Sequence, residues 1–295
     1  MSFLMNFTRR DVVSKRATRR LLTASLTCLA LSAPILHQAD AAPPPSPTPL
    51  PAAHAHNDYE HDRPLLDALD QGFCNVEADV FLVGSELLVG HDKPQLRPER
   101  TLEALYLAPL QARANANDGQ IFRDGPRLTL YIDFKTDGPA TYAALARLLN
   151  RYKSIVSGME KGVWTPRAVD VVISGNRPIE IIEQDAARLA AIDGRLPDLH
   201  GTASAELIPV ISDNWRNHFT WLGQGPMPPP QQAELRRLAT EAKAQQRRLR
   251  FWATPDDPRV WRELRAAGVD LIGTDDLRAL HTFLLEEPQA RQPAE

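Results

Sequence analysis

The sequence predicts an α/β protein, a single (β/α)₈ barrel in which each of eight parallel strands leads into a helix. Three observations predict it. From about residue 52 to about residue 290, short runs rich in Val, Ile, Leu and Phe alternate with stretches of helical period, as a parallel sheet with crossover helices requires. His56, Asp79, Asp133, Ser174, Asn214, Trp252 and Asp275 fall at the ends of the strand-like runs, and barrels of this kind place functional side chains at the C-terminal ends of strands. Removing a 41-residue leader from the 295 residues leaves 254, which suits one barrel of about 250 residues and leaves little for a second domain.

Taken in order, Ala52 to His56 reads as the first strand. Pro64 to Gln71 follows as a helix, opened by proline near its first position and closed by Gly72. Asn75 to Leu82 makes the second strand, which turns through Gly84 and Ser85 into Glu86 to Gly90. Thr101 to Ala116 reads as helical, Leu128 to Phe134 as a buried strand and Tyr142 to Tyr152 as a helix. Val169 to Ser174 is an apolar strand, with a helix from Pro178 to Leu189. Ala191 to Leu207 leaves room for a short strand near Ile192 and a loop, and Leu207 to Ile211 is the next strand. Gln231 to Gln246 reads as a helix. The last two strands are Leu249 to Ala253 and Asp270 to Gly273, with helices at Pro258 to Ala267 and Leu277 to Leu285.

Residues 1–41 read as an export signal with a twin-arginine flavour: Arg19-Arg20, the apolar run LTCLALSAPIL and the small-x-small pattern Ala39-Asp40-Ala41. The apolar run is too short to cross a bilayer, and the expectation is an exported protein, periplasmic or secreted. Residues 42–51, APPPSPTPLP, read as a stiff proline-rich tether, leaving 52–290 for the barrel. Without the leader's six Lys/Arg and two Asp/Glu, the formal charge moves from −3 to −7. An acidic chain argues against nucleic acid as a partner and against avid docking on anionic membranes; membrane contact without integral insertion, by a monomer, is the expectation. Beyond the leader only Cys74 remains, so no intramolecular disulfide can form.

The chemistry sits in three segments. His56 lies in AHAHNDY, Glu77 and Asp79 in VEADV followed by His91 in VGHD, and Asp133 with Lys135 in YIDFKT. Side chains alternate across a strand, so Glu77 and Asp79 share one face while Val76, Ala78 and Val80 take the other. Three converging carboxylates repel one another unless a cation compensates them. All-oxygen ligation favours one hard divalent cation, Mg²⁺ or Ca²⁺, over zinc. That leaves His56 and His91 for proton transfer, and a pair needing one neutral and one charged imidazole gives bell-shaped pH dependence. His54 is two residues from His56 and has the spacing to share its face.

This order of residues resembles the glycerophosphodiester phosphodiesterase-like and sphingomyelinase-D-like superfamily, whose fold is the phosphatidylinositol-phospholipase-C-like TIM barrel. AHNDYEHDRPLLDALDQGFCNVEADVFLVGSELLVGHD is most similar to the altered-inheritance-of-mitochondria-type branch, and FWATPD with WRELRAAGVDLIGTDD is similar to the closing strands of such barrels. The resemblance implies a phosphoric diester hydrolase acting on a glycerophosphodiester or phospholipid-type substrate. His56 and His91 match the acid/base pair, Glu77, Asp79 and Asp133 the metal ligands, and Lys135 a phosphate contact. Asn57 and Asn214 are candidates to orient substrate or a catalytic histidine; Trp252 is either an aromatic near the site or barrel packing, and Asp275 either a site residue or a helix cap. Where the glycerophosphodiesterases have His-Arg-Gly, this chain has His56-Asn57-Asp58, which removes a bidentate phosphate clamp. Alternatives are a phospholipase-D- or phospholipase-C-like lipid enzyme, for which the aromatic loop Trp215 to Trp221 suggests a lipid-facing surface, and a non-catalytic barrel binding a phosphorylated ligand.

Overall fold

Alternation along one strand sets the architecture. In β2 (Phe73–Val83), Val76, Ala78 and Val80 join the large apolar cluster that helices cover, whereas Asn75, Glu77 and Asp79 bond to polar groups of other strands. A strand with an apolar outer face and a polar inner one needs helices outside and polar partners inside, which a closed barrel supplies. The computed structural model describes residues 47–286.

Along the chain, β1 (Leu50–Ala55) leads to α1 (Leu66–Asp70) and β2, which hairpins into β3 (Glu86–Val89). After α2 (Ala108–Ala116) come β4 (Leu128–Phe134), α3 (Gly138–Arg151), the small hairpin β5 (Gly158–Glu160) and β6 (Val163–Thr165), and β7 (Val169–Gly175). Then follow α4 (Ile179–Gln184), β8 (Ala191–Gly194), β9 (Val210–Asn214), α5 (Trp215–His218) and α6 (Pro229–Ala244). β10 (Arg248–Trp252), α7 (Pro258–Ala267), β11 (Leu271–Thr274) and α8 (Leu277–Glu286) complete the fold. Eight strands pair in parallel in the order β1-β11-β10-β9-β8-β7-β4-β2, and β1 pairs with β2 to close the barrel. β3 is antiparallel on β2 and stands outside the ring.

The barrel interior is layered. Near its floor Arg248 donates to Asn75 and Thr129. Above lie Tyr131, Val172 and Ala191, whose registers align, with His54, Glu77 and Arg250 at a comparable level. The top layer holds Asp79, Asp133 and Ser174, aligned by the β2–β4–β7 register, with Asp193 and Ser212. Burial of so many charged groups is tolerated because each carboxylate there has a guanidinium, ammonium, imidazole or hydroxyl partner.

Several elements differ from expectation. β1 begins at Leu50, inside the segment read as a tether, because Leu50 N donates to Gly72 O; the signal and residues 42–46 lie outside the described residues. β9 starts at Val210 rather than Leu207: Pro209 has no N–H for the ladder, so Ser212, Asp213 and Asn214 fall within the strand. The helix from Pro178 stops at Gln184, and the Thr101 segment becomes helical at Leu102 and passes through one π-type turn, Glu103–Leu107. α3 begins at Gly138, with Asp137 capping Ala140 N and Pro139 in the first turn, where a missing N–H costs nothing. The β5–β6 hairpin was not expected. The aromatic loop is not a lipid-facing surface: Trp215, Phe219 and Trp221 are all buried. Trp215 and Phe219 stack at 4.2 Å, Phe251 meets Phe219 edge-on at 5.4 Å, and the Trp215 indole donates to Trp221 O. Among the described residues no helix is long and apolar enough to cross a membrane.

Candidate active site

Glu77, Asp79 and Asp133 come together at the C-terminal end of the barrel, each offering an oxygen, with the three oxygens within 4.8 Å of one another. Register does this: Asp79 pairs with Asp133 across β2 and β4, and Glu77 is two residues earlier on the same face. Glu77 is fixed from behind. His54 Nε2 and Arg250 Nη2 each lie 2.8 Å from Glu77 Oε2. Burial alone would raise the Glu77 carboxyl, but Arg250 and the His54 bond outweigh it and hold Glu77 ionised, far below the usual range. His54 is fully buried, and burial followed by Arg250 drives it down to about 3. It is therefore a neutral imidazole that donates Nε2–H to Glu77.

Asp79 is 1% exposed. Its Oδ2 accepts from Tyr59 Oη at 2.7 Å and from Lys135 Nζ at 3.0 Å, while its Oδ1 is buried with no partner. Burial pushes the Asp79 carboxyl up, Lys135 opposes, and the neighbouring Glu77 and Asp133 charges add to the rise. Lys135 Nζ also lies 3.0 Å from Asp133 Oδ1, and this pairing outweighs burial and raises the ammonium. A buried carboxylate oxygen without a donor, beside two more carboxylates in an all-oxygen set, fits a hard divalent cation. Glu77, Asp79 and Asp133 are the residues that would hold it.

The two histidines flank this cluster. His56 N donates to Thr274 O, because β1 runs beside β11. The same pairing sets His56 Nδ1 2.8 Å from Asp275 Oδ1. Asp276, not Asp275, caps α8 by accepting from Ala279 N, so the helix-cap reading of Asp275 is set aside. With Nδ1–H bound to Asp275, the exchangeable lone pair of neutral His56 is on Nε2. Burial works to lower His56, but the Asp275 bond and the Glu77 charge prevail and raise it. His91 follows β3, held over β2 by Gly90 N donating to Asp79 O and by Gln95 Oε1 accepting from His91 N. Its Nδ1 lies 3.2 Å from both Asp79 Oδ2 and Tyr59 Oη.

Tyr59 is the residue sequence reasoning passed over. Its single proton goes to Asp79, the nearest and charged acceptor; the Asn57 amide at 2.8 Å must then turn its NH₂ toward the phenol oxygen. Asn57 takes the left-handed conformation (φ 47°) at the turn after β1, one residue from His56. Asn214 caps α5 by accepting from Arg216 N and makes no bond to the cluster. Trp252 ends β10 and is 37% exposed, so it is not barrel packing. Arg250 and His54 were legible only as strand positions facing inward: RLRFW alternates Arg248 and Arg250 with Leu249 and Phe251.

Comparison with known proteins places the chain in a family. A family model described as an AIM6-like phosphodiesterase domain matches residues 47–192, which hold His56, Tyr59, Glu77, Asp79, His91, Asp133 and Lys135. A second, described as the glycerophosphoryl diester phosphodiesterase family, matches residues 248–278, including Arg250 and Asp275. The chain is 32% identical over 259 residues to the altered inheritance of mitochondria protein 6 homolog of Arthroderma benhamiae, covering 76% of this chain and 80% of that one. To altered inheritance of mitochondria protein 6 of Eremothecium gossypii it is 33% identical over 265 residues, covering 77% and 68%. The crystal structure of a glycerophosphodiester phosphodiesterase from Parabacteroides distasonis superposes with a TM-score of 0.50 at 19% identity, over 80% of this chain and 96% of that one, a likeness of fold.

Proposed function

The chain belongs to the AIM6-like phosphodiesterase family, in the glycerophosphodiester phosphodiesterase-like superfamily, and from that premise we propose that it is a metal-dependent phosphodiester hydrolase with His56 and His91 as its acid/base pair. The substrate class is a glycerophosphodiester or a phospholipid-type diester. The observation that carries the proposal is the convergence of three carboxylates, one with a partnerless buried oxygen, between two carboxylate-oriented histidines.

A divalent cation held there would neutralise the non-bridging phosphate oxygens as charge builds in the transition state. The protein's own groups do the rest. Lys135, half-buried between Asp79 and Asp133, supplies an ammonium to the phosphate in place of the absent His-Arg-Gly arginine. His56, raised by Asp275, holds a proton that it donates to the leaving alkoxide. His91, with Nδ1 directed at Asp79 and Tyr59, offers Nε2 to take the proton of the attacking hydroxyl. Tyr59 fixes Asp79 Oδ2 and His91 together. Whether the attacking hydroxyl is water or a neighbouring group of the substrate decides between simple hydrolysis and a cyclic phosphate, and product phosphorus spectra distinguish the two.

The test is hydrolysis of bis(p-nitrophenyl) phosphate by the domain, first with EDTA and then with Mg²⁺, Ca²⁺ or Mn²⁺ restored. Activity that returns with metal and disappears in His56→Ala supports the reading. Turnover that EDTA leaves intact overturns the metal requirement.

A further inference from the structure

A groove of about 560 Å³ opens beside the carboxylate cluster, between the first turn of α3 and the segment from β7 into α4. Its floor is Gly175. This residue has φ +66° and packs so closely on β4 that a Cβ there would lie 2.4 Å from Asp133 Oδ1, so a residue lining the groove packs directly on a candidate metal ligand. Its walls are Pro139, Pro178, Ile179 and Ile181. Ile179 is 39% and Ile181 45% exposed, large apolar side chains left in water at the mouth of the site.

One cation, Arg177, and one carboxylate, Glu180, stand among these apolar side chains, with Asn176 beside them. Arg177 lines the groove; its Nη1 donates to Asp193 O, while its Nε is buried with no partner. Burial and the nearby Arg195 lower the Arg177 guanidinium, and the Asp193 and Asp133 carboxylates act in the opposite sense. A guanidinium that lines the groove within electrostatic reach of Asp133, continuous with aliphatic side chains, is complementary to an amphiphile whose anionic end sits at the cluster. A bare glyceryl group would leave the isoleucines wet and most of the volume unfilled.

The structure assigns this groove as the subsite for an aliphatic chain of the substrate, with Arg177 as a contact for its phosphate, which makes the substrate a lipid-type phosphodiester. The assignment rests on the proposed phosphodiesterase reading, yet its test need not involve turnover.

The test is binding of n-alkyl phosphates from methyl to octyl, below their micellar concentrations, measured by calorimetry with Mg²⁺ and again with EDTA. The expected result is a Kd that falls about twofold per added methylene, roughly half the effect of full burial. In Ile179→Ser/Ile181→Ser that slope flattens; circular dichroism confirms folding, since both side chains are at the surface. In Arg177→Gln all chain lengths weaken together by about tenfold and the slope is kept. A Kd independent of chain length in the native protein overturns the subsite, even if diesters are hydrolysed. Failure to hydrolyse any diester, with the slope intact, overturns the catalytic reading instead. An Arg177→Gln variant that binds as tightly as the native protein overturns the role of Arg177.

Discussion

His56 Nδ1 lies 2.8 Å from Asp275 Oδ1, across 219 positions of sequence. The contact exists only because the barrel closes: Ala55 pairs with Thr274, and the next residue on each strand carries the side chain. Asp275 raises His56, so the pair's contribution to stability is full below the ordinary imidazole value of 6.5 and is lost as pH rises through the raised folded value.

The same sign governs activity. If protonated His56 is the acid, Asp275→Asn lowers its pKa and the alkaline limb of the pH–rate profile moves to lower pH. Activity falls more at pH 8 than at pH 6, whereas His56→Ala loses about 10²–10⁴-fold at all pH values. An alkaline limb that does not move in Asp275→Asn removes the acid role from His56.

Metal binding separates the carboxylates from the histidines. Asp79→Asn and Glu77→Gln should each abolish a calorimetric Mg²⁺ or Ca²⁺ titration, while His56→Ala retains it and loses turnover. Tyr59→Phe should bind metal and lose about tenfold in rate, because Asp79 keeps Lys135 but no longer holds His91 through the phenol. Equal metal affinity in Asp79→Asn and the native protein excludes the cluster as the site.

How much of this was legible in the sequence follows the length scale of each feature. Leu128 to Phe134 and Pro258 to Ala267 match the expected bounds because local signals bracket them; Asp257 caps α7, Pro258 opens it and Gly268 (φ 88°) closes it. The facing of Glu77 and Asp79 was readable because strand alternation is local. Tyr59 escaped notice because an aromatic in a loop signals burial as readily as chemistry, and Arg250 because only barrel closure brings it to Glu77; Asp275 was named but left between site and helix cap, since the same closure sets it on His56. The burial of Trp215 and Phe219 was misread for the converse reason. An aromatic loop looks the same in sequence whether it faces lipid or packs on Phe251.

Gly175 tests whether backbone approach sets the metal geometry. At φ +66° any side chain is strained, and a Cβ would meet Phe134 O at 2.5 Å as well as Asp133 Oδ1 at 2.4 Å. Gly175→Ala should therefore cost about 1–2 kcal/mol in chemical denaturation and weaken metal binding, since Asp133 must move. A variant of native metal affinity shows that Asp133 is not held by this contact.

Asp58 gives a pH effect independent of the site's charge. It is fully buried; its Oδ2 accepts from Leu65 N at 2.6 Å and Tyr106 Oη at 2.8 Å, and its Oδ1 has no partner. Burial pushes the carboxyl up to about 6, against both hydrogen bonds. The folded state thus holds its proton more tightly than the unfolded chain. This stabilisation is full below about pH 4 and is lost as pH rises through about 6, a change of about 3 kcal/mol at most. Asp58→Asn keeps an oxygen for both donors and puts NH₂ where Oδ1 lacks a partner. Urea denaturation at pH 4.5 and pH 7.5 should show the variant gaining on the native protein at the higher pH. Parallel pH dependence in the two proteins would mean that Asp58 ionises freely and that its carboxylate is solvated in the fold.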